Sequence, residues 1–243
     1  MGPLENGRAD VRIRIPPVNV LDLAALGSLA EAVGDGGQAR VLVLSGLPRA
    51  FCAGVAVSDH VPEPRQIDTM LAAMRNLLEA LVASPAVTVA AVSGACLGGG
   101  AEIAAACDLV VAAEDARIGF PEIRLACFPP GGAALLPLRI GEARAADWIL
   151  TGRVVSGSEA AETGFASRAC TAAALEEESG RLAEELLSRS PAALRAALSV
   201  LRAPRREALA GALLSAEDAY RRLAGSEDLA RAVSTFGRKD GKP

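Results

Sequence analysis

Two rhythms of apolar residues run along this chain and divide it into strands and helices. Val11, Ile13 and Ile15 alternate with Arg12 and Arg14 and stop at Pro16-Pro17, which predicts a strand with one buried face. From Leu21 to Val33, the residues Leu23, Leu26, Ala30 and Val33 recur at helical spacing, and Gly34-Asp35-Gly36-Gly37 ends that helix. Val41-Leu42-Val43-Leu44 and Val87 to Val92 are apolar on both faces and predict buried strands, with a helix over 63–81 between them. Gly94, Gly98, Gly99 and Gly100 follow, then a helix from about Ala101 to Cys107 and a further buried strand at Leu109-Val110-Val111.

Buried strands alternating with helices imply parallel crossovers and an α/β fold class. After Gly141 the rhythm changes. Helical segments at about 142–150, 158–163, 172–188, 192–202 and 205–223 dominate, with almost no strand signal. The expected organisation is an α/β core over residues 1–170 and a helical C-terminal region over 171–243. Leu186, Leu187, Leu194 and Leu198 offer more apolar surface than a small core needs, so these helices are expected to pack against another copy.

Composition narrows the class. At 51% apolar residues the 243-residue chain can bury a full core, which excludes global disorder. Its formal charge of −4 and its few aromatics (5 Phe, 1 Tyr, 1 Trp) give nucleic acid neither a basic field nor stacking platforms. The uncharged run from Ala80 to Ala101 is long enough for a membrane span, but Pro85, Thr88, Ser93 and the glycines favour a buried strand entering a turn. Met1 to Asp10 lack an apolar signal core, and the five cysteines show no Cys-x-x-Cys pair. With one histidine no metal site is expected. A cytoplasmic protein with reduced thiols is the expectation.

The chemistry gathers around the glycines. Gly94-Ala95-Cys96-Leu97-Gly98 mimics a nucleophile elbow, but the only histidine, His60, lies upstream, so Cys96 reads as a small core residue. Three consecutive glycines at a helix start either expose backbone N–H groups to developing negative charge or let the helix pack closely on a sheet. Glu102 and Glu122 are acids in apolar surroundings. Each alone suits an ordinary helix start, and together they suit acid–base chemistry.

Phe51-Cys52-Ala53-Gly54-Val55, the run Ala91 to Ile103, Cys107-Asp108-Leu109 and Ile118-Gly119-Phe120-Pro121-Glu122-Ile123 together resemble the enoyl-CoA hydratase/isomerase (crotonase) superfamily. Leu150-Thr151-Gly152-Arg153 and Glu159 to Gly164 extend the resemblance. It implies a crotonase-like spiral of ββα units whose C-terminal helices build trimers, usually paired as hexamers. It also implies an acyl-CoA substrate, with coenzyme A part of that substrate and no separate cofactor. The backbone N–H groups of Val55 and Gly99 are then the oxyanion hole, and Glu102 and Glu122 the catalytic acids. Ala53, Ala56, Val57, Gly98, Pro130 and Leu135 line the substrate pocket. Water addition to an enoyl or dienoyl thioester is the expected reaction. Double-bond isomerisation and acyl-CoA binding without turnover are the alternatives.

Departures from the common pattern also carry information. Pro130 replaces a glycine whose N–H helps hold the catalytic water, and Leu135-Leu136 replace a Gln-Arg pair, so a more apolar wall is expected. Asp59-His60, Pro62-Glu63 and Phe128-Pro129-Pro130 resemble the cyclohexa-1,5-diene-1-carbonyl-CoA hydratase branch. Met70 and Met74 read as helix core.

Overall fold

The computed structural model describes residues 7–56 and 64–232. Its central sheet has five parallel strands in the order β1 (Arg8–Arg12), β3 (Val41–Ser45), β6 (Val87–Val92), β8 (Leu109–Ala113) and β11 (Arg168–Cys170). A smaller sheet runs β10 (Val154–Ser156), β9 (Arg117–Gly119), β7 (Ala95–Leu97) and β4 (Ala50–Cys52), and β2 (Val20–Leu21) pairs with β5 (Gly54–Val55). The chain places one strand in the large sheet, the next in the small sheet, then a helix, and repeats. β3 and β4 lead to α2 (Pro64–Ala83), β6 and β7 to α3 (Gly99–Ala106), and β8 and β9 to α4 (Pro130–Ile140). This is the spiral of ββα units that the motifs imply.

Local chemistry explains the elements. Every residue of β6 is buried, as a strand covered on both faces requires. α1 (Leu23–Asp35) begins where the Asp22 carboxylate accepts the Ala25 N–H at 2.8 Å and buries Leu26, Leu29 and Val33. α3 is enclosed along its whole length, which its small residues permit. An ideal Cβ on Gly100 would lie 2.2 Å from the Cys52 carbonyl oxygen, so a glycine lets the helix start against β4.

Several expectations are corrected. The first strand is Arg8–Arg12, earlier than the alternation at 11–15, because its partner β3 sets the register from Arg8 opposite Val41. β10 and β11 lie where almost no strand was expected. Each has three residues and is held by pairing to β9 and β8. α4 occupies a Pro-Gly-Gly segment to which no element was assigned, and Pro130 sits in its first turn, where the missing N–H has no helical partner. The helices after it are α5 (Glu142–Thr151), α6 (Gly157–Thr163), α7 (Leu175–Leu187), α8 (Pro191–Leu201), α9 (Ala203–Ala208) and α10 (Leu214–Ala224). A π-helical turn, Leu209–Leu213, breaks the expected long last helix into α9 and α10. Among the described residues no helix is long and apolar enough to cross a membrane.

The C-terminal helices are fastened to the α/β layers. α7 lies against β3, β6 and β8. Leu186, Leu187, Leu194 and Leu198 pack against this chain's own core while staying only partly buried, and Val200 and Leu201 are 72% and 69% exposed. Asp108 receives Arg202 Nε at 2.8 Å, an Arg205 guanidinium nitrogen at 2.6 Å and the Thr88 N–H at 2.8 Å. Burial opposes its ionisation, but Arg202, the Thr88 N–H and Arg205 outweigh burial, so its pKa lies below the ordinary value. Asp108→Asn leaves Arg202, itself 3% exposed, without its counter-charge. A loss of about 3 kcal/mol in unfolding free energy is expected, read by urea titration. A loss within error would show that the network is not holding the helices.

Candidate active site

The corner where β5 meets the start of α3 brings together the backbones of Val55 and Gly99. Ala56 N–H donates to the Leu21 carbonyl at 2.8 Å, and successive N–H groups of a strand point to opposite edges, so the Val55 N–H points away from β2. Gly98, at φ +53°, is the N-cap of α3, and Gly99 is the first helical residue, whose N–H has no partner within the helix. An ideal Cβ on Gly99 would lie 3.6 Å from the Val55 nitrogen and 2.8 Å from a Val55 methyl. The Val55 and Gly99 backbones therefore lie side by side. Close packing is met at Gly100, and the Gly99 N–H stands at the helix start without a helical partner.

Glu102 and Glu122 reach the same space from different elements. Glu102 sits one turn into α3, 4% exposed, and its Oε1 accepts the Gly132 N–H at 2.8 Å. That N–H belongs to the first turn of α4, so the carboxylate caps a second helix. Glu122 lies in a 3-10 turn, Pro121–Leu125, whose end is tied back by Cys127 N–H and Cys127 Sγ, both donating to the Glu122 carbonyl at 3.2 and 3.4 Å. Its carboxylate rests against Gly98, where an ideal Cβ would come within 2.5 Å of Oε1, and its Oε2 is buried without a protein partner.

Burial raises Glu102 to about 7 against the pull of the Gly132 and Gly131 N–H groups. Burial, and then the neighbouring Glu102 charge, raise Glu122 to about 8. The pair therefore shares a proton near neutral pH, held more on Glu122, where burial and the Glu102 charge outweigh its own backbone N–H. Unfolded carboxyls of this type ionise near 4.5, so between pH 4.5 and 8 the folded state binds more protons than the unfolded one. This pair's contribution to stability is full below 4.5 and is lost as pH rises through about 8. Melting temperature should therefore fall with pH across that window. The fall should shrink in the Glu102→Gln/Glu122→Gln double variant, and equal slopes would contradict the buried pair.

The glutamates and donors open on a cavity of about 450 Å³. Of the sequence-predicted residues, Ala53, Val55, Gly98, Gly99, Glu102, Glu122 and Pro130 line it. Leu135 and Ala56 do not. Only the first turn of α4 reaches the cavity, and Leu135, about 7 Å further along the axis than Pro130, is in the core at 1% exposure. Ala56 spends its N–H on β2. Val57, Asp59, His60, Pro62 and Glu63 lie outside the described residues. The apolar wall expected from Leu135-Leu136 comes instead from Met70, Leu71, Met74, Leu78, Leu125 and Phe128. Met70 and Met74 are thus both core and pocket.

The sequence reading missed Arg75, Cys127, Glu217 and Tyr220, which also line the cavity. Tyr220 packs its ring 5.8 Å from that of Phe128, and its hydroxyl is bonded to the Cys127 thiol. Burial pushes that thiol up to about 11, which makes it a poor nucleophile at neutral pH. Arg75 and Glu217 form an ion pair at 2.5 Å.

The enoyl-CoA hydratase/isomerase family model matches residues 4–240. The chain is 37% identical over 167 residues to a cyclohexa-1,5-dienecarbonyl-CoA hydratase of Thauera aromatica, covering 67% of this chain and 64% of that protein, a little under two thirds of its length. It is 32% identical over 235 residues to a probable enoyl-CoA hydratase of Bacillus subtilis (strain 168), covering 94% and 91% of the two chains. A solved enoyl-CoA hydratase from Mycobacterium avium subsp. paratuberculosis K-10 matches the fold with a TM-score of 0.87 at 26% identity, covering 96% of each chain.

Proposed function

Because this chain belongs to the enoyl-CoA hydratase/isomerase family, we propose that it adds water across a conjugated enoyl- or dienoyl-CoA thioester. The observation that carries the proposal is the raised carboxyl pair opening on the same cavity as the Val55 and Gly99 backbones. With the thioester oxygen on the Val55 and Gly99 N–H groups, attack at the β-carbon places charge on that oxygen, where fixed donors stabilise it. Glu102, the member of the pair whose anion the first turn of α4 favours, takes a proton from water as the new C–O bond forms. Glu122, the more protonated member, delivers a proton to the α-carbon. Isomerisation needs the same donors and only one carboxyl, so the retention of two favours hydration.

A flat cyclic acyl group suits the apolar walls, and the 37% identity to the cyclohexadienecarbonyl-CoA enzyme supports it as one substrate. The test is loss of conjugated absorbance with crotonyl-CoA, longer enoyl-CoAs and a cyclic dienoyl-CoA. Turnover of at least one is expected. Turnover of none would leave an acyl-CoA-binding protein and overturn the proposal.

The family resemblance also supports assembly as a homotrimer or homohexamer, and the exposed Val200, Leu201 and Leu150 provide apolar surface for it. Sedimentation should report the mass of three or six chains, and a strict monomer at micromolar concentration would refute this. Free thiols at all five cysteines suit the cytoplasmic placement read from the sequence.

A further inference from the structure

One wall of the cavity is not apolar. α10 follows directly on the π-helical turn at Leu209–Leu213, an irregularity that is rare in helices and concentrated at functional sites. The end of that turn and the helix after it set Leu213, Glu217 and Tyr220 along the cavity. Glu217 is 1% exposed. Its Oε2 is held by Arg75 at 2.5 Å and by Arg221 at 3.4 Å, and its Oε1 is buried with no hydrogen-bond partner in the protein. Burial raises its pKa, and Arg75 and Arg221 oppose that rise.

A structural tie between α2 and α10 does not require this arrangement. Arg221 already bridges the same two helices by bonding Asp68 at 2.6 Å, on the exposed side. A carboxylate taken out of water with one oxygen unsatisfied costs free energy that a purely hydrocarbon substrate would never return. Leucine or methionine at this position would extend the wall formed by Met70, Leu71 and Leu78.

We infer that Glu217 recognises a hydrogen-bond donor on the acyl group, so that the substrate class is a hydroxylated enoyl- or dienoyl-CoA. This rests on the proposed placing of the thioester at Val55 and Gly99, with Glu217 on the α10 wall of the same cavity. Glu217 Oε1 accepts a hydrogen bond from the hydroxyl once the acyl group displaces the side chains that cover it, Arg75 holds the other oxygen in place, and the hydrocarbon part of the acyl group lies along the methionines and leucines. The Glu217 and Tyr220 face of α10 is then a specificity wall, separate from the glutamates that handle the proton.

The test measures binding, so that it stands apart from turnover. Saturated acyl-CoAs that cannot be hydrated are used as a matched pair, with and without a hydroxyl on the acyl group several carbons from the thioester. Calorimetry on the full chain gives the ratio of their dissociation constants. A hydroxyl hydrogen-bonded to a charged carboxylate should favour its ligand by about 10-fold or more. Glu217→Met should bring the ratio to near unity, and Glu217→Gln, which keeps the volume and loses the charge, should bring it to an intermediate value. Reading a ratio within each protein cancels any general loss of affinity. Equal affinities in the native chain would overturn the inference, as would a preference that survives Glu217→Met. Tighter binding of a carboxylate-ended analogue than of the hydroxylated one would also overturn it, by assigning the wall to Arg75. If the hydroxyl preference holds while no enoyl-CoA is turned over, hydration fails and the binding assignment stands.

Discussion

Glu102→Gln is expected to lower the rate of water addition by about 10²–10⁴ while the protein still binds acyl-CoA. Glutamine keeps the size of the side chain, and its carbonyl oxygen still accepts the Gly132 N–H that now reaches Oε1 at 2.8 Å. What disappears is the capacity to take a proton, which the raised value of about 7 places in the working range. Glu122→Gln should lose a similar factor, by removing the proton that burial and the Glu102 charge keep on that group. Both side chains act on one addition, so the double variant should be little worse than the worse single variant. Isomerisation predicts a different pattern, with one variant dead and the other mildly impaired. Hydration and isomerisation rates of the three variants at matched saturation separate the two. Near-normal hydration by Glu102→Gln would falsify the mechanism.

The second large effect concerns a single hydrogen atom. Gly99→Pro removes one of the two donors and should cost about 10²–10³ in turnover, the usual loss for one oxyanion contact. Gly99 opens α3, a position where proline's fixed φ is compatible with the helix. The new side chain also crowds the Val55 methyl, 2.8 Å from an ideal Cβ. Gly99→Ala is the control, since it brings the same crowding and keeps the N–H. Circular dichroism confirms folding of both. A proline variant no slower than the alanine variant would remove Gly99 from the oxyanion hole.

The sequence disclosed what is local and stayed silent on what docking creates. β6 was legible because five apolar residues and Thr88, set between Pro85 and the Gly94 turn, read as a doubly covered strand. The glycine run and Glu102 were legible together because a helix start and its first turn are adjacent in the chain. β10 and β11 were not, since three residues carry no period and only the partner strand makes them strands. α4 was hidden because proline and glycine usually interrupt helices, whereas here they begin one. Leu135 was placed in the wall by analogy of position, and the axial rise of α4 carries it past the cavity. Arg75, Glu217 and Tyr220 gave no signal because polar residues on amphipathic helices look alike, whether they face solvent or a neighbouring helix. Only the antiparallel docking of α10 on α2, through Glu217 with Arg75 and Arg221 with Asp68, turns that face inward.

Because α10 folds back over the cavity of its own chain, the donors, the two glutamates and the far wall all belong to one polypeptide. Every copy of a variant chain then carries all of its own changes to these groups, so a uniform preparation reports one altered pocket.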